Sequence, residues 1–580
     1  MKKLFITIII LIVAVNSFSQ SIDTAQVSVN FSNTEGTFTD YLFSTGAEPF
    51  QPSSFIPANF ALAKTCGFKV MEIGFQMPIP LDANDSTQYN FSALDQSVNP
   101  VIYEGFEPFL VLGQPNIKPT NLNNYSTFIK NVIRHYTQGW NNGYYYNLKI
   151  VRWGNEPDFN MFWSGTQQEF FETYAAVSNA VKSLDSTIII DTPGFAFPAS
   201  WSGNTRILSP WITNFLSYCQ INNVKVDILT IHAYAPITYH SFYSDLTLIN
   251  NALSAYPSLS NIYGTPKLGS NEWSTMIGND ITGSYHAEFD SAWAAAHDII
   301  GLSAMIKQGV FLSLRYGGTF NNSVPSCYDF LLTDCNGIGK PSYFAFKGFN
   351  MLAGDSIVQT TGSDYINFSD ISGKQTDTVT LVLSNFDALT YLNRFETTPN
   401  PWTTSDPWTD YNNYVADFGT PAVYEYARIA VNNLPWVNDS IKVLHYLVDD
   451  NNDLALINTS SFGGTSNLSF TAPMTVPSVH LFKIIKETIT GIEVQPGQNN
   501  YVNIFPNPSN GKFTVLLNTQ YAILNTQIEI YNVLGEIVFQ SEIKNPKSEI
   551  DLSVQPTGMY FYQVKNNKQF ISSGKIIIQQ

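Results

Sequence analysis

From about Phe43 to Ala353, short apolar runs alternate with longer stretches whose apolar residues recur every three to four positions. Short, nearly unbroken apolar runs read as strands of a sheet buried on both faces, and the longer periodic ones as helices that cover it. Strands are predicted at Tyr41–Ser44, Lys69–Gly74, Pro108–Gly113, Lys149–Trp153, Thr187–Asp191, Asp227–Ile231, Lys267–Ser270 and Val310–Leu314. Helices are predicted at Ala58–Thr65, Ala93–Glu104, Tyr125–Tyr136, Gln167–Leu184, Ile207–Ile221, Leu246–Ala255 and Glu288–Gln308, with Tyr343–Leu352 closing the series. Eight strand–helix units at this length predict a (β/α)8 barrel. An open doubly wound sheet is the alternative, but no Gly-x-Gly-x-x-Gly follows the first strand, as a dinucleotide fold would require.

Past the barrel (residues 21–354) the period changes to two. Thr376–Asn385, Val423–Ile429, Lys442–Val448, Leu454–Asn458 and Ser478–Ile484 alternate apolar and polar residues between turn signals, which predicts an all-β sandwich over 355–487. Residues 21–35, Gln26–Phe31 above all, are expected to lend it a strand. Trp402, Trp408 and Tyr411 fall in a loop-like stretch, and residues 488–500 read as a linker. Residues 501–580 form a separate small β module, with strand-like runs at Asn503–Val515, Ile528–Val538, Ile550–Leu552, Gly558–Val564 and Lys575–Gln579.

The first 20 residues are not part of the fold. Lys2 and Lys3 precede the apolar run Leu4–Val15, and Ser17-Phe18-Ser19 offers small residues for cleavage near Gln20, the form of a signal peptide. The run is short for a span, so the mature chain is expected to carry no transmembrane anchor. Of the four cysteines, Cys327 and Cys335 are close enough in sequence to form a loop disulfide, and Cys66 and Cys219 read as buried thiols. The net charge of −17 argues against nucleic acid as a partner.

Candidate chemistry gathers where strands end, because in a barrel those ends converge on one mouth. The fourth strand ends in Asn155-Glu156-Pro157, where Pro157 can neither donate to a ladder nor continue it. The sixth ends in His232-Ala233-Tyr234, the seventh in Asn271-Glu272-Trp273, and the eighth in Arg315-Tyr316. Two facing carboxylates are what glycoside hydrolysis needs: one protonates the leaving oxygen, and the other attacks or activates water. Trp163, Trp201 and Trp273 suit either the core or the stacking of a sugar face. A metal-dependent hydrolase could draw on His232, His286 and His297, but no His-x-x-x-His pair is present. Carboxylates and water suffice, so no cofactor and no metal are expected.

These residues resemble the retaining glycoside hydrolases of clan A, and within it glycoside hydrolase family 39, the β-xylosidase and α-L-iduronidase family. The resemblance is carried by Asn155-Glu156-Pro157-Asp158 with Phe162-Trp163, and by His232-Ala233-Tyr234 and Glu272. Tyr89–Asp95, Gly105–Gly113 and Gly339–Lys347 add to it. It implies Glu156 as acid/base, Glu272 as nucleophile, Asn155 on a sugar hydroxyl, and His232 and Tyr234 orienting Glu272, on an oligo- or polysaccharide substrate. Two positions depart from the family. Gly154 stands where it has Trp directly before the Asn, closer to families 79 and 51. Glu72 stands where the clan often has Arg near the end of the second strand, and Arg315 is expected to supply the missing positive charge beside Glu272. A non-catalytic sugar-binding or adhesive protein on the same barrel is the rival reading. The last module resembles the C-terminal sorting domain of the type IX secretion system of Bacteroidetes, with a carbohydrate-binding sandwich as alternative. The resemblance implies export by that machinery and release or surface attachment.

Overall fold

The structure is a computed structural model in which residues 23–46, 57–74, 77–202, 205–234, 239–275, 290–317, 332–334, 337–395, 407–487, 502–517, 526–566 and 569–579 are described. Among them, eight parallel strands close into a barrel. They are β1 (Ser44–Gly46), β2 (Val70–Gly74), β3 (Glu107–Leu112), β4 (Ile150–Trp153), β5 (Ile189–Asp191), β6 (Ile228–Ala233), β7 (Lys267–Trp273) and β8 (Leu312–Arg315). The covering helices are α1 (Pro57–Cys66), α2 (Ser92–Tyr103), α3 (Leu122–Gln138), α4 (Gln167–Leu184), α5 (Pro210–Ile221), α6 (Tyr239–Ser254), α7 (Ala292–Lys307) and α8 (Pro341–Phe349). The (β/α)8 expectation holds, and α4 begins and ends where its periodicity says, opened by a Thr166–Glu169 capping box.

Alternation along each strand sorts the barrel. Val70, Phe109, Ile150, Ile189, Ile228 and Leu312 fill its floor. Their neighbours Met71, Leu110, Val151, Ile190 and Leu229 pack outward against helices. Two residues further along the same inward face the chain turns polar: Glu72, Arg152, Asp191 and Thr230 are all buried.

Two segments differ from the sequence reading. The helix expected from Ile207 starts at Pro210, because Thr205–Leu208 pairs with Ala199–Ser202 as a hairpin after β5. Pro407–Phe418, read as loop-like around Trp408 and Tyr411, is a helix. Cys327, Cys335, Trp402, His286 and the first 20 residues, read as a signal peptide, lie outside the described residues; Cys66 and Cys219 are buried free thiols.

The β domain is one hydrogen-bonded sheet of nine strands among the described residues, with a core of its own. Thr24–Thr37 lies inside it, antiparallel to Ser356–Thr361 and parallel to Tyr426–Asn432. Sheet and barrel cluster into a single compact unit, Met1–Glu487. Helix α7 explains why: it packs on β-domain strands as well as the barrel, with Ser384 Oγ donating to the Ala296 carbonyl at 2.6 Å and Lys307 pairing with Asp370 at 3.0 Å. A helix covered on both sides is apolar nearly all round, as α7 is. Thr488–Gln580 is a second unit, in which a three-stranded and a four-stranded sheet share one core. No helix among the described residues is long and apolar enough to cross a membrane.

Candidate active site

The turn after β4 is built by two residues at positive φ. Gly154 has φ +90°, and a Cβ there would stand 2.4 Å from Gln114 Oε1 and 3.0 Å from Pro193 Cβ, so only glycine fits. Gln114, from the loop after β3, clasps the turn: its Oε1 accepts from Asn155 N at 2.8 Å, and its Nε2 donates to the carbonyls of Asn155 and Phe162. Glu156 follows at φ +40°. Its backbone N–H points at the Pro193 and Gly194 carbonyls after β5, at 3.3 and 3.2 Å. A strained acidic residue held this firmly at a strand end marks a working site. Asp158 ties the same two loops together, accepting from the backbone N–H groups of Ala196 and Phe197 at 2.9 and 2.8 Å.

Glu272 reaches the mouth by a different device. The β6–β7 register slips between Ser270 and Glu272. A β-bulge there turns both Asn271 and Glu272 inward and sends Trp273 outward. Asn271 is buried, donating to Asp191 Oδ2 at 2.7 Å, whereas Glu272 opens to the mouth. Tyr234 donates its hydroxyl to Glu272 Oε1. Glu156, His232 and Glu272 each bring an atom within 4.8 Å of the other two. That is about the spacing of retaining carboxylate pairs, roughly 5–5.5 Å, and short of the roughly 6.5–9.5 Å of inverting ones.

The two carboxylates sit in unlike surroundings. Burial pushes Glu156 up to about 7, against the downward pull of the Arg152 guanidinium. His232 Nδ1 meets Glu156 Oε1 at 2.6 Å, while its Nε2 is 3.4 Å from Glu272 Oε2. His232 therefore touches both carboxylates, and more closely Glu156 than the Glu272 it was expected to orient. Burial drives His232 down to about 4, so it is neutral at pH 7. Arg152 Nη2 lies 3.1 Å from His232 Nε2. Nη2 has two hydrogens and three neighbours, Asn155 Oδ1, the Pro193 carbonyl and His232 Nε2; a hydrogen shared with Nε2 would leave Nδ1 to carry the ring's own hydrogen and donate it to Glu156. With both ring nitrogens engaged and a guanidinium alongside, the cluster does not suit a cation.

Arg152, not Arg315, brings the positive charge to the mouth. It pairs with Glu72 Oε1 at 2.9 Å and donates to the Pro193 carbonyl and to Asn155 Oδ1. Arg152 thus places a buried cation on β4, paired with Glu72 on β2 and within electrostatic reach of Glu272. Arg315 faces outward, toward Asp298 on α7 at 3.4 Å, with its guanidinium over the Trp273 and Phe346 rings. Trp273 is buried, its Nε1 donating to Ser313. Trp163 packs on Phe170 and donates to the Thr166 carbonyl. None of these three reaches the mouth. Asn155 does: its Oδ1 is held by Arg152, and its Nδ2 has no partner among the described residues. Gln114, Arg152 and Asp191 are site residues that motif reading passed over.

A parallel barrel with two close carboxylates on β4 and β7, one of them pushed toward neutrality, defines the class of the clan A glycoside hydrolases. Residues 80–382 match glycosyl hydrolases family 39, and the chain belongs to that family. It is 26% identical over 206 residues to a β-xylosidase of Geobacillus stearothermophilus, covering 30% of this chain and 38% of the relative. It is 24% identical over 308 residues to a β-xylosidase of Caldicellulosiruptor saccharolyticus, covering 46% of this chain and 58% of that protein. The chain thus spans between about two fifths and three fifths of the lengths of these relatives. A glucosidase from Croceicoccus marinus shares the fold, with TM-score 0.59, 20% identity, and coverage of 80% of this chain and 99% of that one. Residues 503–579 match the secretion system C-terminal sorting domain, which directs the chain to the cell surface or the exterior.

Proposed function

We propose that this protein is a retaining glycoside hydrolase acting on oligo- or polysaccharides by double displacement, with β-xylosides as its first substrate class. The observation that carries the reading is the pairing of a carboxyl pushed up to about 7, Glu156, with Glu272 at retaining distance. In the first step the Glu272 oxygen not engaged by Tyr234 attacks the anomeric carbon. The bond to the leaving oxygen breaks as Glu156 gives that oxygen its proton. In the second step Glu156, now a carboxylate, takes a proton from water, and the water oxygen displaces Glu272. His232 accompanies Glu156 through both steps, donating from Nδ1 to Oε1 and leaving Oε2 to carry the proton. Asn155 Nδ2 is available to the sugar hydroxyl beside the reacting carbon. The type IX secretion machinery is the proposed partner of the C-terminal module.

The test uses Glu272→Ala with azide. Loss of at least 1,000-fold in kcat is expected, with azide restoring turnover and giving a glycosyl azide of inverted anomeric configuration. A Glu272→Ala variant that keeps full activity refutes the assignment. A panel of aryl glycosides read by NMR settles the sugar and its anomer.

A further inference from the structure

The β domain reaches the hairpin after β5 and the start of α6 through an inserted helix. Asp410, on the helix Pro407–Phe418, is buried; its Oδ1 accepts from Trp201 Nε1 at 3.2 Å and its Oδ2 from Ser241 Oγ at 2.7 Å. Trp201 is in the hairpin after β5, and Ser241 is in the first turn of α6. The hairpin is gripped a second time by Arg206. Its guanidinium lies 5.0 Å from the centre of the Trp201 ring, and its Nε donates to Asp245 of α6 at 2.8 Å. His240 then packs edge-on against Tyr414 and Phe418 of the same inserted helix.

The base of this hairpin belongs to the active site. Its chain leaves β5 through Pro193 and Gly194, whose carbonyls face the Glu156 N–H. It continues through Ala196 and Phe197, held by Asp158, and is closed by the 2.8 Å bond from Ser209 N to the Pro198 carbonyl. Phe197 meets Phe159, the third residue after Glu156, edge to face at 5.9 Å. Phe197 and Met161 both stay exposed beside it. Glu156 gives its proton to the leaving group, so whatever leaves must rest over this β4–β5 side of the mouth.

We infer that the β domain is part of the substrate-binding wall: through Asp410 it fixes the hairpin Ala199–Leu208 and with it the preceding stretch Pro193–Phe197, which carries the subsite for the leaving-group sugar. Asp410 is a positioning residue, acting through Trp201. The subsite takes an apolar sugar face against Phe197, and the hairpin's own cation, Arg206, is committed to Asp245. The inference rests on the glycosidase reading for the identity of the subsite, but not for the grip on the hairpin.

Two measurements on the full chain separate these. Hydrogen exchange in peptides spanning 193–202 and 205–211 is expected to quicken at least tenfold in Asp410→Ala and in Trp201→Phe, with peptides from β1 to β3 keeping their rates. Unchanged exchange in the hairpin overturns the inference. The second measurement compares xylotriose with β-xylosyl fluoride, whose leaving fluoride needs no leaving-group subsite. The ratio of kcat/KM for xylotriose to that for the fluoride is expected to fall about tenfold in both variants, through KM. Equal losses on both substrates, or no loss on either, overturn it. A wild-type protein that releases no fluoride instead refutes the proposed activity, while the exchange result still decides whether Asp410 holds the hairpin.

Discussion

Tyr234, one residue past the end of β6, donates its hydroxyl to Oε1 of Glu272, two residues beyond the point where His232 and Glu272 stand in register. The register makes the pair a product of the bulge in β7: without the slipped residue Glu272 would face the helices. A hydrogen bond to a carboxylate contributes about 1.5–3 kcal/mol. Tyr234→Phe is expected to lower kcat about 10- to 100-fold with little change in fold, checked by steady-state kinetics and thermal melting side by side.

Glu156 sets the alkaline limit. As the acid it must be protonated, so kcat/KM is expected to fall as pH rises through about 7. Stability follows the same sign. The folded protein raises this group above its ordinary 4.5, so its contribution is fully present below that value and is lost as pH climbs through about 7. Glu156→Gln removes the penalty: it is expected to melt higher than wild type at pH 8 and close to wild type at pH 5. A shift of this size corresponds to at most about 3 kcal/mol. A variant that gains nothing at pH 8 contradicts the burial argument.

The Arg152 contact predicts a tautomer. With seven histidines in the chain, 15N labelling of histidine and comparison with His232→Asn identify the His232 signals. Nδ1 is expected to appear as the protonated nitrogen and Nε2 as the bare one, with no imidazolium at pH 6. In the double variant Arg152→Met/Glu72→Gln, which removes both members of the buried pair, that preference is expected to weaken. A wild-type ring protonated at Nε2 rules the reading out.

Gly194 makes a sharp comparison with Gly105. Both have positive φ, +72° and +85°, but a Cβ on Gly194 would come within 2.1 Å of His232 Nε2, whereas one on Gly105 meets nothing within 4 Å. Each Gly→Ala change costs about 1 kcal/mol for backbone conformation. Only Gly194→Ala is expected to abolish activity as well, by displacing His232, as a melting curve and a kinetic assay on each variant will show.

Much of this was written in the strand pattern. Barrel strands coincide with the apolar runs, and Glu156 stands out because Asn155-Glu156-Pro157 follows closely on one of them. The misplacement of Arg315 was avoidable. Leu312 and Leu314 share one face of β8, so Arg315 belongs to the other, and the same parity puts Arg152 inward with Ile150. Trp273 was not readable, since a bulge inverts the parity of everything after it and leaves no mark in Ser270-Asn271-Glu272. The hairpin Ala199–Leu208 was missed because its run of small polar residues carries a weak signal until Asp410, some 200 positions later, gives Trp201 a partner.

The strand Thr24–Thr37 has a consequence for how the protein comes to be made. Its parallel neighbour, Tyr426–Asn432, is separated from it by the whole barrel. The chain's beginning must therefore wait, unpaired on that side, until more than two thirds of the sequence has been synthesised. Contacts so distant along a chain form late and slowly. A polypeptide that crosses a membrane before closing this clasp keeps its first strand extended and its barrel unsealed against the sheet. Truncating the first 37 residues would leave a gap in the middle of the sheet rather than a trimmed end.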